Sequence, residues 1–212
     1  MTRLIFEKNA EEAVGMARYM KNHFDFAGVK KPVRAQLQKP YIKDSKQWAI
    51  PKLLSEITYY YQQPEREYQY FAIELTQNNV KRLSFENLKE LLPLVQQKEW
   101  WDSIDSWRKV YGTWIGLHPE YLERIFGLFE QQEDFWLRRI AITLQLQSKE
   151  KTNCDLLKKA LYYDMNTEEF FIQKAIGWSL RAYAKTDPEW VRQLLRQENF
   201  SKLATREASK YL

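Results

Sequence analysis

The chain has 212 residues, of which 33 are Lys or Arg and 28 are Asp or Glu, for a formal net charge of +5 at neutral pH. A hydrophobic share of 44% suits a globular core, no apolar run reaches the roughly 18 residues a membrane span needs, and the amino terminus lacks the basic-then-apolar pattern of a secretory signal. One cysteine, two separated histidines and no glycine-rich phosphate loop argue against a disulfide framework, a zinc site and the usual nucleotide fingerprints. The expectation is therefore a protein of the reducing cytoplasm, without cofactor, metal or membrane association.

Taken in order, the predicted elements are all helices, and no long segment shows the strict alternation of a half-buried strand. Pro51, Pro64, Pro119 and Pro188 each stand where a helix can begin, since proline is tolerated in the first turn. In LSFENLKELLPLVQQ (83–97), Phe85, Leu88, Leu91, Leu92 and Val95 recur at helical spacing behind Ser84, a candidate cap. Asn166 with Glu169 reads as a capping box for a helix running to about Lys185. Roughly eleven or twelve helices with short connections fit helix-hairpin arrays. Helix pairs recur about every 35 to 40 residues, which points to one HEAT-like-repeat domain over 1–212, an all-α solenoid with a concave groove.

Three stretches carry chemistry. KEWWDSIDSW (98–107) reads as a helix from about Glu99, with Trp100, Ile104, Trp107 and Tyr111 on one apolar stripe. Trp101, Asp105 and Arg108 form a second stripe beside it, and Asp102 falls in the first turn, where it complements the helix dipole. FWLRRIAI (135–142) sets Arg138 and Arg139 near a helix start, either to clamp a phosphate or to pair with Glu133 and Asp134. In the segment 168–190, Ile172, Ile176, Ser179 and Tyr183 form a core stripe. Lys174, Trp178, Arg181 and Lys185 form another, which is either a solvated basic face or a surface for nucleic-acid backbone.

Together WWDSID (100–105), WLRRIAI (136–142), EEFFIQKAIGWSLRAYAKTDPEWV (168–191), ATREASKYL (204–212) and MARYMKNHF (16–24) resemble the AlkD-type HEAT-like-repeat DNA glycosylases, the bacterial DNA alkylation repair enzymes. The resemblance implies a C-shaped helical solenoid that acts as a monomer and holds double-stranded DNA in a basic concave groove. It also implies hydrolysis of the N-glycosidic bond of N3- or N7-alkylated purines without capture of a flipped base. By motif position, Asp105 matches the catalytic carboxylate, Trp101 and Trp178 the aromatic walls against the deoxyribose, and Arg139 the arginine at the lesion backbone. Tyr19 matches a tyrosine near that site. Lys149, Lys151, Lys174, Arg181, Lys185, Arg206 and Lys210 are the expected DNA-binding cations.

Such a site is chemically sufficient. A ring-alkylated purine is already cationic and leaves as a neutral base, so one carboxylate that stabilises the oxocarbenium charge replaces the usual glycosidase pair. Tryptophan faces add cation–π attraction of about 0.5–2 kcal/mol each.

The chain also departs from the family pattern. Catalytic members extend further ahead of MARYMKNHF, Ala35 stands where a basic residue is expected, and Gln147 replaces a lysine of the DNA track. Pro40 follows Pro32 closely, and an internal proline costs a helix about 3 kcal/mol. The element that would probe DNA for damage is thus expected to be broken. Two readings follow: a DNA-binding family member whose alkylpurine excision is weak or absent, or an active alkylpurine DNA glycosylase acting on lesions such as N7-methylguanine and N3-methyladenine. A protein-interaction module without DNA is a third, and the steep salt dependence of phosphate binding separates it from both.

Overall fold

The computed structural model describes residues 2–212 and resolves, among them, twelve α-helices and no strand. The chain packs as two compact units, 1–94 and 95–212.

In the first unit an extended segment leads into α1 (Ala10–Tyr19), α2 (Lys31–Ser45), α3 (Ile50–Gln62), α4 (Arg66–Asn79) and α5 (Phe85–Val95). The segment is pinned by its backbone: the Leu4 amide donates to the Tyr60 hydroxyl at 2.7 Å and the Phe6 amide to the Tyr68 hydroxyl at 3.1 Å. Tyr60 and Tyr61 are core residues, while Tyr59 is half-buried with Arg3 over its ring. That division is what helical geometry requires of three consecutive residues. Between α1 and α2 the Glu67 carboxylate, fully buried on α4, accepts the amides of Ala27, Gly28 and Val29 at 2.9 Å each. Gly28 makes this turn possible, with φ of 87° and a backbone so close that a Cβ would meet the Asn9 carbonyl at 2.1 Å.

Two local expectations meet the structure differently. Ser84 does cap α5: its hydroxyl accepts the Asn87 amide at 3.2 Å, and the Asn87 side chain accepts the Ser84 amide at 3.0 Å. Pro40, in contrast, does not break the second helix, which runs without interruption from Lys31 to Ser45. Packing outweighs the local penalty. Arg34, Gln38 and Ser45 line the buried face of α2 against α4, and Tyr41 meets the Phe71 ring edge-on at 6.1 Å.

The second unit holds α6 (Trp101–Leu117), α7 (Leu122–Phe126), α8 (Phe135–Thr143), α9 (Cys154–Asp164), α10 (Phe170–Tyr183), α11 (Pro188–Gln197) and α12 (Lys202–Ala208). α8 packs against both α6 and α10, and α10 packs closely on α12. Trp107, Tyr111 and Ile140 are fully buried in this core and Trp114 almost so. Each such burial contributes about 1.5–3 kcal/mol before ordering entropy is counted. The long helix near the carboxyl end starts later than the Asn166–Glu169 box predicts. Glu169 itself is the cap, its carboxylate accepting the Phe171 amide at 3.0 Å, and Asn166 lies outside the helix.

Candidate active site

α6 opens at Trp101, with Trp100 extended ahead of it and Asp102 in the first turn. Its period sorts the side chains as anticipated for Ile104, Trp107 and Tyr111, which are buried, and for Trp101 and Asp105, which stay half-buried on the adjoining face. Trp100 departs from the expected stripe because it precedes the helix. It joins an aromatic cluster instead, with ring centroids 5.7 Å from Trp136 and 5.2 Å from Phe171.

The polar centre is a planar ion pair. Arg139 on α8 donates from Nε and Nη2 to the two Asp105 oxygens, each at 3.0 Å, and from Nη1 to the Phe171 carbonyl at 2.6 Å. One guanidinium thereby ties α6, α8 and the start of α10. A two-point arginine–carboxylate contact fixes the carboxylate plane as well as its position. Arg139 is nearly enclosed, whereas the Asp105 side chain keeps 22% of its surface open. The neighbouring Arg138 faces away: its Nε donates to both Asp164 oxygens at 3.0 and 3.1 Å and its Nη1 to the carbonyls of Gln132 and Glu133. Neither arginine pairs with the Glu133 or Asp134 side chain in these contacts. Asp134 instead caps α8 by accepting the Trp136 amide at 2.8 Å.

A carboxyl in a different state lies at the entrance to α6. Burial, then a hydrogen bond with Asp134, pushes the Glu99 carboxyl up to about 8, so it is largely protonated at neutral pH.

Trp178 is half-buried on α10, with the Arg108 guanidinium 5.4 Å from its ring centroid. Arg108, Trp178, Gln147, Lys149 and Lys185 line an open groove of about 710 Å³. Lys149 and Lys151 are exposed in a single short 3-10 turn. Lys185 is exposed with its ammonium 4.5 Å from the Tyr211 ring centroid, and Arg206 is exposed on α12. Lys174, Arg181 and Lys210 converge on Glu207 at 3.1, 2.9 and 2.8 Å, each with its side chain still partly open. Lys210 does most to hold that carboxyl down at about 2, with Lys174 adding to it against the opposing effect of burial. Tyr19 belongs to the first unit, where it is 70% exposed at the end of α1. Among the described residues no group of three or more His, Cys, Asp or Glu is placed to hold a metal ion, and no helix is long and apolar enough to cross a membrane.

The family model for DNA alkylation repair enzymes matches residues 1–212. The chain belongs to the DNA alkylation repair enzyme family. A solved structure, that of a predicted DNA alkylation repair enzyme from Enterococcus faecalis, shares 55% sequence identity and a TM-score of 0.97, covering 99% of each chain. No match emerges among curated proteins.

Within this DNA alkylation repair family member, the motif residues Asp105 and Arg139 come together although 34 positions separate them. Periodicity alone could not pair them. Three groups at or near the site escaped the sequence reading. Arg108 carried a signal, since it shares the Trp101 and Asp105 stripe, but nothing marked it as buried. Glu99 carried none, because its partner Asp134 is distant in the chain, and of the partners of Glu207 only Lys210, at i+3, was within local reach.

Proposed function

We propose that this family member binds double-stranded DNA and hydrolyses the N-glycosidic bond of cationic N3- or N7-alkylated purines, with Asp105 as the catalytic carboxylate. The protein acts as a cytoplasmic monomer, built of HEAT-like helical repeats with a basic groove for the duplex. The observation that carries the reading is the Asp105 carboxylate, fixed at two points by Arg139 yet still partly open, on the same helix face as Trp101. A fixed, partly open carboxylate is what a single-carboxylate glycosidic cleavage needs. It opposes the positive charge that grows on the deoxyribose as the neutral base departs, and it holds water for attack on the sugar. Trp101 and Trp178 offer π faces to the same developing charge. The exposed cations Lys149, Lys151, Lys185 and Arg206, with Tyr19, serve the DNA backbone.

The expected break at Pro40 no longer argues against excision, since α2 is continuous through it. One observation favours the other reading, a duplex-binding relative that excises little: both Asp105 oxygens are occupied by Arg139. Single-turnover release of N7-methylguanine from a defined duplex decides between them. Release well above the spontaneous rate is expected, and release at background would overturn the glycosylase assignment.

A further inference from the structure

Arg108 is an anomaly among the arginines of the second unit. It is 8% exposed, and its Nε has no hydrogen-bond partner. Arg139 is buried to a similar degree but spends its donors on Asp105 and the Phe171 carbonyl. Arg138 is likewise satisfied, by Asp164 and two backbone carbonyls. The carboxylate nearest to Arg108 in sequence, Asp105, already has both oxygens bound by Arg139. Burial accordingly lowers the Arg108 guanidinium from its usual range more than the Asp105 charge restores it, and the Arg139 charge pushes in the same direction as burial. What Arg108 does touch is an aromatic face, the Trp178 ring, 5.4 Å from the guanidinium carbon to the centroid.

Keeping a cation in this condition is costly, because a buried charge is stable only when paired and hydrogen-bonded. A chain with no use for it would gain stability from an apolar side chain of similar volume. A buried polar group left unsatisfied in a folded protein calls for an explanation, and a partner that arrives from outside is one. Arg108 lines the groove of about 710 Å³ that also has Lys149 and Lys185 on its wall, with Glu150 as the acidic member. The cations therefore outnumber the acid, and the missing partner is an anion.

We propose that Arg108 is a phosphate-binding residue, and that the groove beside Trp178 receives a phosphodiester of bound DNA, with Arg108 donating to a non-bridging oxygen from a guanidinium already oriented by the Trp178 ring. The proposal rests on the duplex-binding reading above and adds to it a contact made by a buried side chain rather than by a surface lysine. A planar guanidinium suits this task better than an ammonium, because it stacks on an aromatic face and donates at its edge at the same time. Lys149 and Lys185 supply the looser, solvated part of the same anion site.

The test measures duplex affinity of the full chain against salt concentration, for the wild type, Arg108→Met and Arg108→Lys, together with the Tm of each free protein. Arg108→Met is expected to weaken binding about tenfold or more at low salt and to make the log affinity against log salt slope shallower by about 0.9. Its Tm is expected to equal or exceed that of the wild type, because an unpaired buried charge has been removed. Arg108→Lys should restore the slope but only part of the affinity. Wild-type affinity and slope in Arg108→Met would overturn the assignment of Arg108 while leaving duplex binding intact. A Tm several degrees below the wild type in Arg108→Met would make Arg108 a structural residue and overturn the proposal as well. Failure of the wild type itself to bind duplex in a salt-dependent way would remove the duplex-binding reading, and this inference with it.

Discussion

Asp105 and Glu99, on either side of the start of α6, have opposite kinds of partner. Asp105 is clasped by a guanidinium, whereas Glu99 is buried against another carboxyl, that of Asp134. The Glu99 carboxyl is raised from its ordinary value near 4.5 to about 8, so the folded chain holds a proton that the unfolded chain releases at lower pH. The stabilising contribution is complete below about 4.5 and is lost as pH rises through about 8. Glu99→Gln removes the titration, so the variant is expected to match the wild type in Tm at pH 5 and to exceed it near pH 9. A constant Tm difference across that range, measured by thermal unfolding at each pH, would contradict this account. At this scale the spacing of Trp101 and Asp105 in the sequence was informative, because the helical period puts them on one face. The states of Glu99 and Arg108 were not legible there, since each depends on burial by side chains distant in the chain.

At the scale of elements, the joint between α10 and α12 is the tightest contact at this end of the chain. A Cβ added at Gly177 would lie 2.5 Å from the Glu207 Cβ and 2.8 Å from the Ala204 carbonyl oxygen. The Ala204 backbone cannot yield as a flexible side chain would, so α12 must move away. Gly177→Ala is expected to cost about 1–3 kcal/mol, a fall in Tm of several degrees at this chain length. It also loosens the ion pairs that Glu207 makes with Lys174, Arg181 and Lys210. An unchanged Tm in calorimetry would show that α12 is not held there. The helices themselves were largely legible from periodicity, proline position and caps, as Ser84 illustrates. The errors occurred where tertiary contacts override local rules. Pro40 stays helical because α2 packs on α4, and Glu169 displaces Asn166 as the cap of α10.

At the scale of the whole molecule, composition pointed to a globular chain, periodicity made it helical, and a net charge of +5 favours a polyanion only weakly. Long motifs, not charge, carried the family assignment, which the family model supports over residues 1–212. The basic residues prove unequal. Lys174, Arg181 and Lys210 are ion-paired with Glu207, while Lys149, Lys151, Lys185 and Arg206 are exposed with no ion pair to it. A count of lysines and arginines cannot see that division, because Glu207 draws Lys174 and Arg181 from a different helix. The proposed chemistry sits in a small centre, one carboxylate on α6 held by one arginine on α8, and substitution of that carboxylate is its most direct test. Single-turnover N7-methylguanine release by Asp105→Asn, measured beside the wild type with duplex affinity recorded for both, is predicted to fall to the spontaneous rate while affinity is retained. Release at the wild-type rate from a correctly folded Asp105→Asn protein would contradict the central claim.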